Sequence, residues 1–268
     1  MVGKNLTGKV AVVTGGLGML GSRFANTLVR AGAKVAVIDL RDENPGVIKP
    51  KDFRNVSLYK TDITKSEGVK TVFDEITRTL GAPAVLINCA GIDSKPNAPP
   101  DQNGPFENYP EKMWDIVLDS HLKGAFLASR EFLRKFRAAG LDNGSIINIS
   151  STYGLVAPDQ SMYEYRHKRG ENFFKPVAYS VAKAGMLGFT KALAGYCASF
   201  GVRVNALAPG GVYSGQDKEF VHEYEKRTML GRMAKPDDFN AAILFLASDA
   251  SSYMTGATLV IDGGWTAR

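Results

Sequence analysis

The segment Lys9–Gly21 has the sequence KVAVVTGGLGMLG and is the strongest indication of the fold. Its first half, Lys9–Thr14, is a largely apolar, β-branched run that predicts a buried strand. A Gly-x-Gly-x-x-Gly pattern follows over residues 16–21, and apolar residues at helical spacing predict a helix over Gly18–Ala31. Glycines at such a turn let backbone N–H groups approach a pyrophosphate at the helix N terminus. The same turn can be purely structural, so a dinucleotide site needs support from the rest of the chain.

A carboxylate at the end of the next strand gives that support. Lys34–Asp39 (KVAVID) predicts a second strand, and Asp39 lies 18 residues after Gly21. A carboxylate at this place accepts hydrogen bonds from the two adenosine ribose hydroxyls and repels a 2′-phosphate. Asp39 therefore favours NAD over NADP. Arg41 leaves the alternative open, because a guanidinium near the ribose can hold that phosphate.

Short apolar runs alternate with helical patterns along the rest of the chain. Further strands are predicted at Val56–Lys60, Ala84–Asn88, Gly144–Ser150, Arg203–Ala208 and Thr258–Ile261. Further helices are predicted at Lys65–Leu80, Pro110–Ala138, Pro176–Phe200 and Pro236–Ala247. This alternation predicts an α/β fold, a Rossmann-type doubly wound parallel sheet with helices on both faces. No linker divides the chain, so we expect one domain over residues 1–268.

Three stretches carry no clear helix or strand pattern. Two of them, Ile92–Tyr109 and Ser151–Pro176, leave the carboxyl ends of predicted strands, and the third spans residues 209–235. Ligands of open α/β sheets bind at that edge, so we expect the first two to form active-site walls.

Composition and charge narrow the class of protein. The chain has 268 residues, of which 22% are charged and 44% hydrophobic, and this balance excludes a disordered or collagen-like chain. Residues 1–60 carry ten Lys or Arg and four Asp or Glu, which accounts for the whole net charge of +6. The excess belongs to the dinucleotide half and forms no nucleic-acid recognition motif, so we expect no nucleic-acid partner.

Location and redox state follow from what the sequence lacks. It has no run of 18 apolar residues and no signal peptide, so we expect a cytoplasmic protein with no membrane partner. Cys89 and Cys197 are isolated, which predicts neither a disulfide framework nor a metal cluster.

Tyr179 and Lys183 form a candidate catalytic pair. Their spacing in Tyr-Ser-Val-Ala-Lys places them on one face of a predicted helix. A nearby ammonium stabilises phenolate and lowers the tyrosine pKa, so such a phenol can transfer a proton near neutral pH. The same spacing also occurs in ordinary surface pairs.

With further motifs, the whole chain resembles the short-chain dehydrogenase/reductase family. The matching segments, in order, are the glycine loop Thr14–Gly21, Asp62-Ile63, Asn88-Cys89-Ala90-Gly91, Ser151 after the fifth strand, Tyr179 with Lys183, Pro209-Gly210 with Ser214, and Ile261–Trp265. The resemblance implies about seven strands in the order 3-2-1-4-5-6-7. It also implies a homo-oligomer, a tetramer or dimer, assembled through the long helices that start near Pro110 and Pro176.

The resemblance implies hydride transfer between a nicotinamide and a carbon that bears oxygen, without a metal. Tyr179 would be the general acid/base, Ser151 would bind the substrate oxygen, and Lys183 would lower the tyrosine pKa and hold the nicotinamide ribose. The implied cofactor-binding residues are Gly15, Gly16, Gly18, Met19, Leu20, Asp39, Asp62, Ile63, Asn88, Ala90, Gly91, Tyr179, Lys183, Pro209, Gly210, Val212 and Ser214.

Two departures concern the cofactor and the proton path. Met19 follows Gly18, whereas single-domain relatives usually place the middle glycine one position later. His121 stands where relatives have an asparagine that supports a relay water, so it either satisfies the same backbone groups or takes part in proton relay.

A third departure is an insertion between the catalytic serine and tyrosine. Ser151 and Tyr179 are 28 residues apart, and the extra segment at about Asp159–Lys175 mixes aromatic and basic residues. It is either a solvated charged loop or a lid in which Arg166 and Arg169 contact a polar or anionic substrate. His222, in the stretch that caps the substrate in relatives, is a further candidate contact.

The sequence thus predicts an NAD-dependent oxidoreductase that interconverts a secondary alcohol and a ketone of a polar, carbohydrate-like substrate. The flanking segments resemble members linked to bacterial surface-sugar and flagellin-modification pathways. Two alternatives stay open: an NADPH-dependent reductase of 3-oxoacyl thioesters or ketones, and a non-catalytic dinucleotide-binding protein.

Overall fold

The computed structural model describes residues 6–42, 55–93 and 102–267. Seven parallel strands form one sheet: β1 (Val10–Thr14), β2 (Lys34–Asp39), β3 (Val56–Lys60), β4 (Pro83–Asn88), β5 (Gly144–Ile149), β6 (Val202–Pro209) and β7 (Thr258–Ile261). The helices are α1 (Met19–Arg30), α2 (Ser66–Thr79), α3 (Glu111–Leu118), α4 (Gly124–Ala138), α5 (Glu164–Lys168), α6 (Val177–Cys197), α7 (Lys218–Arg227) and α8 (Asn240–Ala247). The strand order is β3-β2-β1-β4-β5-β6-β7, which confirms the predicted Rossmann-type sheet.

The register of the central strands sets up the site. Thr14 at the end of β1 lies opposite Ile38 of β2 and Asn88 of β4, and Asn88 lies opposite Asn148 of β5. The carboxyl ends of these strands therefore meet at one edge. The chain order reverses between β1 and β4, and a crevice opens at such a reversal.

Alternating strand residues pack against helices on both faces of the sheet. Ala11 and Val13 of β1 belong to one apolar core, with Phe24 of α1 and Ile243 of α8. Val10 and Val12 point to the opposite core, which contains Phe73 of α2, Phe132 of α4 and Cys197 of α6. Because both faces are covered, the strands are continuously apolar, as the sequence predicted.

The structure differs from the predicted elements in three places. The expected helix Pro110–Ala138 changes to π geometry over Asp119–Lys123, between α3 and α4. The stretch 209–235 contains α7, and the insertion contains α5. Tyr224 is the buried residue of α7, so that polar helix gives a weak periodic signal. Part of the predicted loop Ile92–Tyr109, residues 94–101, lies outside the described residues.

Two further observations bear on the class of protein. Among the described residues, no helix combines the length and apolar character needed to cross a membrane. Cys89 and Cys197 are both free thiols.

Candidate active site

A cleft of about 840 Å³ opens at the carboxyl edge of the sheet. Residues at or just after the ends of β1, β2, β4, β5 and β6 line it, together with the insertion and α7. Most of the predicted site residues lie on its wall. They are Gly15, Gly18, Met19, Leu20, Asp39, Asp62, Ile63, Ala90, Gly91, His121, Ser151, Tyr179, Lys183, Pro209, Gly210, Val212 and Ser214.

The glycine loop forms a cradle at the N terminus of α1. Gly15 has a φ of +64° and packs so closely that a Cβ on it would lie 2.7 Å from the Ala90 Cα. A Cβ on Gly21 would overlap the Gly15 carbonyl oxygen. Gly18 is the N-cap of α1 and no side chain caps the helix, so its first N–H groups are available to an anion. The departure at Met19 leaves this geometry intact, and the cradle fits a pyrophosphate.

Two predicted cofactor residues, Gly16 and Asn88, are not among the described residues that line the cleft. A Cβ on Gly16 would lie 2.7 Å from Val37 Cγ1, so its missing side chain allows the turn to pack on β2. Asn88 is buried, and its amide donates to Ser129 Oγ at 3.0 Å and Asn148 Oδ1 at 2.8 Å. Both residues therefore support the cleft from behind, and direct contact with the cofactor stays a prediction for each.

Asp39 and Arg41 lie together at one end of the cleft. The Asp39 carboxylate accepts hydrogen bonds from the Leu17 N–H at 3.0 Å and from the Arg41 N–H and Nε at 3.2 Å each. Asp39 therefore holds the Arg41 guanidinium. On the neighbouring wall, Asp62 Oδ1 accepts bonds from the backbone N–H of Thr64 at 2.9 Å and its hydroxyl at 2.8 Å. The Asp39 carboxylate at the end of β2 is the one placed to accept from the hydroxyls of an adenosine ribose.

Ser151, Tyr179 and Lys183 meet at the other end, although 28 residues separate the serine from the tyrosine. Tyr179 lies in the first turn of α6 and is hydrogen-bonded to the Ser151 side chain. Lys183 follows one turn later and is buried; its Nζ donates to the Ile149 carbonyl at 2.8 Å and lies 5.6 Å from the centroid of the Tyr179 ring.

Burial shifts the pKa values of both Tyr179 and Lys183. Burial raises the pKa of Tyr179, the Asp93 carboxylate raises it further, and the hydrogen bond with Ser151 offsets only part of this. Burial also lowers the pKa of Lys183 to about 8. Without bound cofactor, burial and Asp93 therefore hold the pKa of Tyr179 above its ordinary value. A lowering of the tyrosine pKa by Lys183 stays a prediction.

His121 lies in the π segment and is buried against Tyr179. Its Nε2–H donates to the Ile92 carbonyl at 3.1 Å, and the two rings meet edge to face with centroids 5.7 Å apart. Burial and the charge of Lys183 hold its pKa well below the usual range, so the imidazole is neutral. A Cβ on Gly91 would overlap this ring, so Gly91 makes room for it. The backbone role expected of His121 matches this contact, and proton relay stays a prediction.

The residues predicted to contact substrate lie elsewhere. Arg166 pairs with Glu171 and stacks on Phe173, with 4.3 Å from its Cζ to the ring centroid. Arg169 pairs with Glu219 of α7 at 2.7 Å, and His222 of α7 is exposed. None of Arg166, Arg169 and His222 is among the described residues lining the cleft. The geometry does not favour their contact with substrate, because acidic neighbours already hold both arginines.

Sequence reasoning missed two charged residues beside Tyr179. Asp93 follows β4, and Lys175 ends the insertion; both line the cleft. Lys175 Nζ lies 2.6 Å from Asp93 Oδ1 and 4.4 Å from the centroid of the Tyr179 ring. Neither residue belongs to a recognisable motif, so only tertiary structure brings them to the site. Tyr163 of the insertion lines the cleft as well.

The described part of the chain has no group of three His, Cys, Asp or Glu side chains that could hold a metal ion. The arrangement instead joins a phosphate cradle, a ribose-binding carboxylate and a buried tyrosine–lysine pair in one cleft. Such a site can bind a dinucleotide and move a proton on a substrate oxygen.

Comparisons with known proteins agree with this chemistry. A sequence-family profile described as enoyl-(acyl carrier protein) reductase matches residues 18–266. An NAD-dependent glycerol dehydrogenase from Listeria innocua is 31% identical over 98% of this chain and 96% of its own. A cis-4-hydroxycyclohexanecarboxylate dehydrogenase from Sinomonas cyclohexanicum is 33% identical over 99% of this chain and 100% of its own.

A crystal structure of a short-chain dehydrogenase from Leptospira borgpetersenii with bound NAD+ superimposes with a TM-score of 0.86 at 32% identity. The alignment covers 98% of this chain and 94% of that chain. The chain therefore belongs to the short-chain dehydrogenase/reductase family. It is a nicotinamide-dinucleotide-binding oxidoreductase that acts on CH–OH groups of small molecules.

Proposed function

We propose that this protein is an NAD-dependent dehydrogenase that interconverts a secondary alcohol and a ketone on a polar, carbohydrate-like substrate. The observation that carries the proposal is the convergence of Ser151, Tyr179 and Lys183 at one end of a cleft whose other end presents the Asp39 carboxylate. A tuned acid at the substrate oxygen is what a hydride transfer requires of the protein.

In the oxidation direction, Tyr179 as phenolate takes the proton of the substrate hydroxyl while Ser151 donates a hydrogen bond to the same oxygen. Lys183, as an ammonium, stabilises the phenolate. The glycine cradle and Asp39 would hold the pyrophosphate and the adenosine ribose of the dinucleotide. When bound, the oxidised nicotinamide supplies the acceptor for the hydride that leaves the alcohol carbon, and its positive charge favours the phenolate. In the reduction direction, Tyr179 as a phenol returns the proton.

The wall around Tyr179 supports a polar substrate. Tyr153 and Tyr163 bring hydroxyl-bearing rings to it, and Asp93 and Lys175 bring charges. A steroid or fatty-acyl chain would displace water from these hydroxyls and charges without replacing its hydrogen bonds, at a free-energy cost of about 1–3 kcal/mol for each bond lost. The relative named as a glycerol dehydrogenase agrees with a polyhydroxylated substrate.

The raised pKa of Tyr179 predicts opposite pH dependences for the two directions. Oxidation needs the phenolate, whose fraction grows about tenfold per pH unit below the pKa, so kcat/KM for oxidation should rise from about pH 6 to about pH 8. Above about 8 the buried Lys183 loses its proton, and the rise should flatten. Reduction needs the phenol and should stay level over the same range. Initial rates in both directions measure this, and oxidation that slows with rising pH would contradict it.

Cofactor preference is tested by Asp39→Ala. The variant should raise KM for NAD by about tenfold or more, because it removes a charged acceptor of the ribose hydroxyls. KM for NADP should change little or fall, since Arg41 is then released from its pair with Asp39 and a repelling charge is gone. Asp42→Ala, at an exposed neighbouring carboxylate, is the matched control. An equal loss with both cofactors would show that Asp39 does not discriminate between them.

The function is tested with a panel of polyols, sugars and sugar phosphates supplied with NAD or NADP, by following formation of NADH or NADPH. A parallel assay follows consumption of NADPH with acetoacetyl-CoA. Preferred oxidation of a polyol or sugar with NAD supports the proposal. Preferred reduction of acetoacetyl-CoA with NADPH would replace it with the thioester reductase. A cytoplasmic location, a homotetramer or dimer, and a place in surface-sugar or flagellin modification stay predictions.

A further inference from the structure

An ion pair lines the cleft near Tyr179. Asp93 comes from the loop after β4 and Lys175 from the end of the insertion, 82 positions later. Lys175 Nζ lies 2.6 Å from Asp93 Oδ1 and 2.7 Å from Oδ2. The lysine side chain is 9% exposed and the aspartate side chain 45%. The pair is therefore anchored from the lysine side, and its aspartate faces the open part of the cleft.

The backbone of the insertion fixes the position of Lys175. Gln160 Oε1 accepts a hydrogen bond from the Lys175 N–H at 2.9 Å, and Gln160 Nε2 donates to the Lys175 carbonyl at 3.1 Å. The insertion is held in turn by Arg227 of α7, which pairs with Asp159 at 2.7 Å. These contacts place the ammonium 4.4 Å from the centroid of the Tyr179 ring. The ion pair and Tyr179 therefore line neighbouring parts of one cleft, where a group next to the reacting carbon of a substrate bonded to Tyr179 would meet the pair.

We propose that the Asp93–Lys175 pair selects substrates with a hydroxyl on the carbon next to the reacting carbon, so that the enzyme prefers vicinal diols and polyols over simple secondary alcohols. The inference rests on the proposed dehydrogenase function. A hydroxyl both accepts and donates, so it bonds to the remaining N–H of the ammonium and to the carboxylate together. It joins the pair without breaking it.

Other neighbouring groups fit this pair less well. A methyl group offers neither a donor nor an acceptor, and it displaces water from two charged groups without replacing the hydrogen bonds. A carboxylate on the substrate is attracted by the Lys175 ammonium but repelled by the Asp93 carboxylate. To bind the ammonium it would have to break the Asp93–Lys175 ion pair. The remaining cation at this end, Lys183, is committed to the Ile149 carbonyl. Among the described groups near Tyr179, the charge balance therefore favours a neutral polar neighbour.

Three probes with the same reacting CH₃–CHOH unit isolate the effect: propan-2-ol, propane-1,2-diol and lactate, each supplied with NAD. They differ only in a methyl, hydroxymethyl or carboxylate group next to the reacting carbon. The wild-type enzyme should oxidise the diol with a kcat/KM at least about tenfold above that of propan-2-ol, as expected for a site built to bond a substrate hydroxyl. The kcat/KM for lactate should be lower than that for the diol.

Variants connect that preference to the ion pair. Lys175→Met and Asp93→Asn should each lower the ratio of kcat/KM for the diol to that for propan-2-ol by about tenfold. Asp93→Asn should also raise kcat/KM for lactate, because it removes the repelling charge. Lys168→Met, at an exposed lysine of α5, is the matched control and should keep the wild-type ratio. Thermal melting checks that each variant is folded, and the substrate ratio is independent of the amount of active enzyme.

The outcomes separate this inference from the function on which it rests. A wild-type enzyme that oxidises propan-2-ol as well as the diol, or prefers lactate, would overturn the selection by a neighbouring hydroxyl and leave the dehydrogenase function standing. The same holds if both variants keep the wild-type ratio. No NADH formation from these probes, from glycerol or from threitol would overturn the proposed function itself and this inference with it.

Discussion

Tyr179→Phe should lower kcat by about a thousandfold while NADH still binds. The substitution removes the phenol oxygen, which is hydrogen-bonded to the Ser151 side chain and is the group proposed to exchange a proton with the substrate. General acid/base groups contribute about 10²–10⁴-fold to a rate. The glycine cradle and Asp39 lie at the other end of the cleft and are unchanged, so NADH should still bind. NADH absorbance measures turnover, and the fluorescence of bound NADH measures binding.

Tyr165→Phe is the matched control for this variant. Tyr165 donates to Asp217 at 3.0 Å and is not among the described residues that line the cleft. Its loss should leave kcat near the wild-type value. Normal turnover by Tyr179→Phe would remove Tyr179 from the chemistry and favour a dinucleotide-binding role without catalysis.

Lys183→Met should lower kcat by about a hundredfold and weaken NAD binding. The buried ammonium is the cation on the same helix face as Tyr179, and without it the phenolate loses its main stabilising charge. The site should be no less stable, since burial already disfavours the charged lysine. We therefore expect a loss of activity at an unchanged or higher Tm. Kinetics with saturating NAD and thermal melting measure the two effects.

An exposed lysine of the same helix gives the control. Lys191→Met lies two turns beyond Lys183 on α6 and should keep full activity. If Lys183→Met retained its kcat, or lost activity only in step with a lower Tm, Lys183 would be a structural residue rather than a partner of Tyr179.

Local sequence patterns were enough to predict the strand–turn–helix unit of the fold and the spacing of the catalytic pair. The run Lys9–Gly21 specifies a strand, a glycine turn and a helix within 13 residues, and the structure has all three. The Tyr179–Lys183 spacing likewise depends only on one helical turn. Interactions between residues close in sequence determine these features, so a local sequence pattern is enough to predict them.

Features decided by tertiary contacts were not predictable. Asp93 and Lys175 pair across 82 positions, and Arg169 pairs with Glu219 across 50. The basic run of the insertion left two interpretations open, a solvated loop or a lid over an anionic substrate. In the structure Arg166 pairs with Glu171 of the insertion itself, and Arg169 pairs with Glu219 of α7, a polar helix with a weak periodic signal. The raised pKa of Tyr179 also depends on tertiary structure, because burial and the Asp93 carboxylate, which is distant in sequence, cause it.

Transfer of deuterium from the alcohol carbon to the nicotinamide is the direct test of the proposed oxidation. The enzyme is incubated with NAD and propane-1,2-diol deuterated at the secondary carbon, and mass spectrometry determines the isotope content of the reduced cofactor. We expect one deuterium per NADH formed, with hydroxyacetone as the other product, because the hydride is transferred directly from the alcohol carbon to the nicotinamide. Reduced cofactor without deuterium, or hydroxyacetone formed without reduced cofactor, would contradict it.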